Sequence, residues 1–206
     1  MEKVIKFVRE ELKHDNSGHG LQHALRVYDN AKKILKNEKG DEKIVLTSAL
    51  IHDTVDRKLF DNFDERIEYV KKFLKKNKYS KNEIDEIIYI ISNISWKNGE
   101  NEKLNSLNAE IVRDADRLDA IGAVGVIRTI EFGNSRNCNF YDEVNIATDK
   151  KGNKTFDKNT TSTLTHFYEK LLLIKDSVHT KTAHKMAIKR HKFMLKFLEE
   201  FYSEIK

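Results

Sequence analysis

The chain has 206 residues, of which 39% are hydrophobic, and this length and apolar content suit one core of ordinary size. We predict a single domain over 1–206 and, because no apolar run of about 18 residues appears, no membrane partner and a cytoplasmic location. The net charge of +5 comes from 38 Lys and Arg mixed with 33 acidic residues. Such mixing excludes a basic arm, so no specific nucleic-acid binding is expected, although a mild positive field favours a phosphorylated small molecule.

Helices dominate the predicted fold, since the chain has no proline and only 8 glycines. The apolar stripe from Leu21 to Leu35 predicts a helix of roughly 18 residues with His23 near its start. A second helix, over about 41–53, delivers His52 and Asp53 at its C-terminal end. These patterns predict an all-α fold.

A capping box predicts the start of the next helix, because Ser80 is followed three residues later by Glu83 and then by isoleucines at helical spacing. Five further helices are predicted by apolar periodicity, over about 64–77, 105–119, 120–132, 163–176 and 180–204.

The stretch from Gly133 to Ser162 is rich in Asn, Thr, Asp, Gly and Lys and has weak periodicity. It predicts a long polar loop or a short hairpin. A flap that closes over a substrate and a tolerated surface insertion are both compatible with this composition.

His52 and Asp53 are the first candidates for chemistry. A His-Asp dipeptide by itself is weak, since His14-Asp15 is another. At His52, however, an imidazole and a carboxylate emerge together where an apolar helix ends, and a metal ion would account for both. Imidazole and carboxylate are ligands of Mn²⁺, Fe²⁺, Co²⁺ and Zn²⁺. His23 is a candidate third ligand, with a hydrogen-bonded core histidine as the alternative.

Three acids crowd into the segment from Asp114 to Asp119. Asp116 and Asp119 are one helical turn apart and can serve a common site, whereas Asp114 points elsewhere. The alternative is a helix-capping and salt-bridging cluster with Arg113 and Arg117.

Taken in order, these segments resemble bacterial HD-domain hydrolases, which share the sequence His, then His-Asp, then Asp. The matching segments are SGHGLQH at 17–23, LIHDTVD at 50–56, IVRDADRLDAIGAVG at 111–125 and HFYEKLL at 166–172. The resemblance implies a single all-α HD domain, a helical bundle whose metal ligands are His23, His52, Asp53 and Asp116. One departure is Gly20, where many relatives have Asp.

The resemblance also implies how many metal ions bind. HD proteins with two metals use additional histidines before the final Asp, and this chain has none between His52 and Asp116. We therefore expect one divalent ion per chain, with Mn²⁺ favoured and Fe²⁺, Co²⁺, Zn²⁺ and Mg²⁺ as alternatives. The expected reaction is hydrolysis of a phosphoester or phosphoanhydride, most plausibly in a nucleotide, by metal-activated water. The alternative is a non-catalytic HD module that senses a nucleotide or holds a structural metal.

Five further residues complete the predicted site. Asp56 is the candidate catalytic acid that orients or deprotonates water, with a surface or capping acid as the alternative. Arg26 and Lys58 are candidates for phosphate binding, and Lys170 matches a lysine of the family. Asp119 is expected to hold a ligand imidazole or an arginine in place.

Overall fold

The computed structural model describes residues 1–13, 20–55, 62–94, 103–141, 146–148, 154–156 and 162–205. Within these ranges the chain forms nine α-helices. The helices are α1 (Glu2–Glu11), α2 (Leu21–Leu35), α3 (Glu42–Ile51), α4 (Phe63–Lys76), α5 (Lys81–Asn93), α6 (Leu107–Asp119), α7 (Gly122–Ser135), α8 (Thr165–Glu169) and α9 (Lys181–Glu204). The prediction of an all-α fold is confirmed.

Two 3-10 helices and one small sheet complete the described structure. The 3-10 helices cover His52–Val55 and Leu171–Asp176. The sheet pairs β1 (Ile146–Thr148) antiparallel to β2 (Lys154–Phe156), so the short hairpin is the alternative that the chain adopts near 133–162.

The chain divides into two compact units, which are described separately here. The first contains Met1–Asp116 and His179–Ala183, and the second contains Arg117–Val178 and His184–Lys206. The single domain over 1–206 stays a prediction. No helix within the described ranges is long and apolar enough to cross a membrane.

Helix α3 is the centre of the first unit, and it packs against α1, α2 and α5. Every residue from Ile44 to Ile51 is buried, so this largely apolar helix is enclosed on all sides. It begins at Asp41, whose carboxylate accepts a hydrogen bond from the backbone N–H of Ile44 at 3.0 Å. Whatever follows its C-terminal end is therefore carried into the interior of the unit.

The second unit is held by aromatic packing between α8 and the C-terminal half of α9. The rings of Phe167 and Phe197 stack with their centroids 6.0 Å apart, and Phe201 continues the series. Gly133 of α7 is buried against Thr163, and a Cβ atom at this position would collide with the Thr163 side chain. This close approach requires glycine.

Several predicted boundaries need correction. The predicted helix over 163–176 is wrong as a single element, because α8 ends at Glu169 and a 3-10 helix follows after Lys170, whose φ of −135° is not helical. Helix α7 continues to Ser135, so the first residues of the predicted polar loop are helical. The capping box of Ser80 and Glu83 is confirmed, with both of its hydrogen bonds present.

Candidate metal centre

His23 projects from the first turn of α2 into the first unit. The helix begins after Gly20, and the backbone N–H of His23 bonds to the Gly20 carbonyl at 2.9 Å. The residue is only 2% exposed, because it belongs to the same buried face as Ala24 and Val27. An imidazole on an otherwise apolar face needs a polar partner in the interior.

His52 and Asp53 lie in the 3-10 turn that ends α3. The ring atom Nδ1 of His52 is 2.9 Å from the Ala49 carbonyl oxygen. A carbonyl only accepts hydrogen bonds, so this contact requires a proton on Nδ1 and leaves a lone pair on Nε2 in the neutral ring. Thr54 secures the same turn by donating its hydroxyl to the Ile51 carbonyl at 2.7 Å. Local hydrogen bonds thus prepare Nε2 of His52 as a metal ligand.

Asp116 reaches the same place from α6. Its atom Oδ1 lies 3.3 Å from Nε2 of His23 and 3.8 Å from Nε2 of His52. The Asp116 side chain is 28% exposed, so it forms the accessible edge of an otherwise buried group. The register of α6 is held by Asn30 of α2, whose amide donates to the Ala115 carbonyl at 3.1 Å.

The distances among these donor atoms fit one bound ion. Nε2 of His23 is 3.2 Å from Nε2 of His52 and 3.4 Å from Oδ2 of Asp53, while Oδ1 of Asp53 is 3.2 Å from Nε2 of His52. Ligand atoms bound to one ion at about 2.1 Å are about 3.0–3.4 Å apart in octahedral or tetrahedral coordination.

The negative charge of the carboxylates in this group also favours a bound cation. Asp53 is 4% exposed, and a carboxylate so buried is stabilised by hydrogen-bond donors or by a nearby cation. In the described part of the chain, His23, His52 and Asp53 are the group whose ligand atoms all lie within 4.8 Å of one another. These residues fit a divalent metal ion.

The remaining predicted residues are distributed differently. Arg26 is partly exposed on α2, one turn after His23. Asp119 is buried in the second unit and pairs with Arg128, at 2.7 Å between Oδ2 and Nη1. Its carboxylate holds an arginine in place, and a role in supporting the metal ligands stays a prediction. Asp56 and Lys58 lie outside the described residues.

Lys170, in the second unit, lies where α8 ends and the 3-10 helix begins. Burial, together with the smaller effect of the positive charge of Lys170, lowers the pKa of the neighbouring His166 to about 4. His166 is therefore a neutral imidazole at physiological pH. The role of Lys170 in substrate binding stays a prediction.

Two side chains that organise this region of the first unit, Asn30 and Arg66, were not predicted from the sequence, and neither were the partners of Asp114. Asn30 lies seven residues after His23, on the buried face of α2, and a polar residue on that apolar stripe was the available signal. Asp114 is fully buried and accepts hydrogen bonds from His179 and Thr180. Arg66 of α4 donates to the Thr54 carbonyl, and no local pattern marks it.

Comparison with known proteins identifies the family. The HD domain family profile matches residues 20–121, a span that contains all four clustered side chains. YpgQ, an uncharacterized protein of Bacillus subtilis (strain 168), is 35% identical over 207 residues, which cover 99% of this chain and 93% of YpgQ. The chain therefore belongs to the HD domain family.

Solved structures agree with this assignment. The crystal structure of Bacillus subtilis YpgQ in complex with ADP matches with a TM-score of 0.80 at 32% identity, covering 99% of this chain and 97% of that chain. An HD-superfamily hydrolase from Bacillus thuringiensis matches with a TM-score of 0.79 at 33% identity, covering 98% of this chain and 95% of the other. The chain has the fold of HD-superfamily hydrolases.

Proposed function

We propose that this protein is a metal-dependent phosphohydrolase that cleaves a phosphoester or phosphoanhydride bond, and that its substrate is a nucleotide. The observation that carries the proposal is the convergence of two imidazole Nε2 atoms and two carboxylates within 3.2–3.8 Å. That YpgQ was crystallised with ADP supports a nucleotide as the ligand.

His23, His52, Asp53 and Asp116 would hold one divalent ion, with Mn²⁺ favoured on the basis of the nitrogen and oxygen donors. When bound, such an ion lowers the pKa of water and polarises a phosphoryl group, so no protein nucleophile is required. The buried side chains His23, His52 and Asp53 keep bulk water away from one side of the site. Asp116, the most exposed of the four, marks the side from which a substrate enters.

The other residues act on the substrate. Asp56 accepts the proton of the attacking water, and its place three residues after Asp53 is the reason for this assignment. Arg26, Lys58 and Lys170 neutralise phosphate charge. Asp119 orients the arginine Arg128 with which it pairs.

The test is a metal-reconstitution assay. Protein stripped of metal is supplied with Mn²⁺, Mg²⁺, Co²⁺, Fe²⁺ or Zn²⁺ and offered ADP, other nucleotides and a generic aryl phosphate. We expect about one ion per chain and turnover of at least one nucleotide, with released phosphate or pyrophosphate distinguishing a phosphatase from a pyrophosphohydrolase. Two tightly held ions would contradict the single-ion expectation.

Matched variants locate the activity. His52→Ala and Asp53→Ala should abolish metal retention and turnover together, whereas His14→Ala, in the other His-Asp dipeptide, should leave both unchanged. Asp56→Asn should lower turnover by roughly a hundredfold with metal content retained. Nucleotide binding without turnover for every metal would instead identify a non-catalytic sensor.

A further inference from the structure

Arg66 of α4 makes a contact beside the candidate metal centre that the proposed mechanism does not use. Its Nε atom donates a hydrogen bond to the Thr54 carbonyl oxygen at 3.0 Å. Thr54 follows Asp53 directly in the 3-10 turn. Carbonyl groups at the end of a helix lack intrahelical partners, and this arginine provides a donor at such a position. Its positive charge also suits the C-terminal end of a helix.

Glu11 of α1 binds a second nitrogen of the same guanidinium group. Its atom Oε2 accepts a hydrogen bond from Nη2 of Arg66 at 2.8 Å, and its atom Oε1 accepts one from the Tyr69 hydroxyl at 3.1 Å. The side chains of Arg66 and Glu11 are each only 17% exposed. An ion pair shielded to this degree holds its geometry better than one on the open surface.

The geometry of arginine makes this arrangement rigid. The guanidinium group is planar, so an Nε bond to Thr54 and an Nη2 bond to Glu11 together fix its position and its orientation. Thr54 is held at two points, by Arg66 at its carbonyl and by the Ile51 carbonyl at its hydroxyl. The backbone that carries Asp53 is therefore tied to α1 and α4.

We propose that Arg66 and Glu11 form a positioning pair, which holds the 3-10 turn so that His52 and Asp53 present their ligand atoms in metal-binding geometry. This inference rests on the proposed function in one respect, since it requires that a metal ion binds at His23, His52, Asp53 and Asp116. The hydrogen bonds described above join the pair to Thr54 and Tyr69, so its effect on the metal centre is exerted through the turn.

The test compares Co²⁺ binding in three variants. Arg66→Met keeps most of the apolar stem and removes every donor. Arg66→Lys keeps the charge but cannot reproduce the planar pair of bonds, and Glu11→Gln removes the ion pair while leaving an acceptor. Supporting residues around metal ligands typically contribute tenfold to a hundredfold in affinity. We expect Arg66→Met to raise the Kd for Co²⁺ by about tenfold or more, with smaller increases for the other two variants.

Two further measurements separate positioning from general stability. The visible absorption spectrum of Co²⁺ at saturation reports ligand geometry, and we expect it to change in Arg66→Met and to be partly restored in Arg66→Lys. Urea unfolding of the metal-free protein reports stability. The matched control is Lys43→Met, which removes the exposed ion pair of Lys43 with Glu83, 2.7 Å long and in the same unit. This control should leave affinity and spectrum unchanged.

A lower stability of Arg66→Met with wild-type affinity and spectrum would make the pair a purely structural contact and overturn the inference. If Arg66→Met does not fold, Arg66→Lys and Glu11→Gln decide, and wild-type Co²⁺ affinity and spectrum in both would overturn it. Failure of the wild-type protein and of Lys43→Met to bind Co²⁺ or Mn²⁺ would overturn the proposed function itself, and with it the positioning role. A defect confined to the Arg66 and Glu11 variants supports both.

Discussion

Two faces of α6 carry aspartates only two residues apart, and they do different work. Asp116 is partly exposed and lies 3.3 Å from the His23 imidazole. Asp114 is fully buried and accepts the backbone N–H groups of His179 and Thr180, at 2.9 and 2.7 Å, together with the Thr180 hydroxyl at 2.9 Å. Successive helical residues are about 100° apart, so these two side chains leave the helix in nearly opposite directions.

The two faces differ in the groups that their aspartates meet. Asp114 has its donors supplied by the protein, and through them it holds the start of α9, where Thr180 accepts the backbone N–H of Ala183 at 3.2 Å as an N-cap. Asp116 lies near the Nε2 atoms of His23 and His52, which are potential metal ligands. A carboxylate whose hydrogen-bond donors are supplied by the protein stabilises the fold. A carboxylate that lies beside other potential metal ligands is suited to bind an ion.

The largest effect is expected from substitution of Asp116, on the face of α6 that meets the metal-ligand atoms. Asp116→Ala should lower turnover about a thousandfold or more and weaken metal binding, because it removes the ligand on the accessible side. The free energy of unfolding of the metal-free protein should change by less than about 1 kcal/mol, since the side chain is partly exposed. Metal titration, kinetics and urea unfolding on one preparation check this. A variant that keeps its metal and turnover would remove Asp116 from the site.

The acidic segment at 114–119 shows what the sequence could and could not provide. The resemblance to HD-domain hydrolases implied that Asp116 would join His23 and the His52-Asp53 pair, and the structure places these side chains together. Helical spacing placed Asp114 elsewhere but could not name its partners, because His179 and Thr180 lie about sixty residues further along the chain. Asp114 instead supports Thr180, the residue that caps α9.

The limits of sequence prediction at Lys170 have a similar cause. Apolar periodicity continues through 163–176, so a single helix was the natural prediction. Its interruption by a non-helical residue depends on tertiary packing, which periodicity does not contain. The role of Arg66 could not be predicted from the sequence either, because its partners Glu11 and Thr54 are distant along the chain.

The next largest effect is expected from substitution of Asp114, on the other face of α6. Asp114→Ala would leave several buried donors without an acceptor, and we expect the free energy of unfolding to fall by roughly 3 kcal/mol. Metal affinity, measured well below the unfolding temperature, should stay within a few-fold of wild type. Asp114→Asn, which keeps one acceptor oxygen, should cost less. Loss of metal affinity at wild-type stability would reverse the roles assigned to the two faces.

The pH of these measurements matters because His166 adds a pH dependence of its own. Its pKa is lowered from 6.5 to about 4 by burial and then by Lys170. Between these values the unfolded chain binds a proton that the folded protein does not, so stability falls as the pH drops from about 6.5 towards 4. The difference between these two pKa values limits the loss of folding stability to about 3 kcal/mol. The partial exposure of His166 reduces the expected loss to about 2 kcal/mol.

Urea unfolding at a series of pH values, for wild type and His166→Gln, measures this contribution. The stability difference between the two proteins should be constant above about pH 7 and should shift in favour of the variant as the pH falls towards 4. Parallel curves for the two proteins would show that His166 titrates normally. The variants of Asp114 and Asp116 are accordingly best compared at about pH 7.5, where His166 is neutral in both states.

The smallest effect is expected at Glu38, a partly exposed carboxylate that lies at the start of α9, as the buried carboxylate of Asp114 does. Glu38 also receives donors at the beginning of α9, since its atom Oε1 accepts the backbone N–H and the hydroxyl of Thr182 at 3.1 and 2.8 Å. Glu38→Gln keeps a carbonyl oxygen as acceptor and loses only the negative charge near the positive end of the helix dipole. We therefore expect the free energy of unfolding to fall by about 0.5 kcal/mol, and by less in high salt because the interaction is screened. Urea unfolding at low and high ionic strength measures both values, with Lys43→Met as a control that removes a different ion pair of the first unit. A decrease in the free energy of unfolding as large as that of Asp114→Ala, or one that salt does not change, would contradict this prediction. Glu38 would then be as tightly enclosed as Asp114, and burial would not distinguish the two carboxylates that hold this helix.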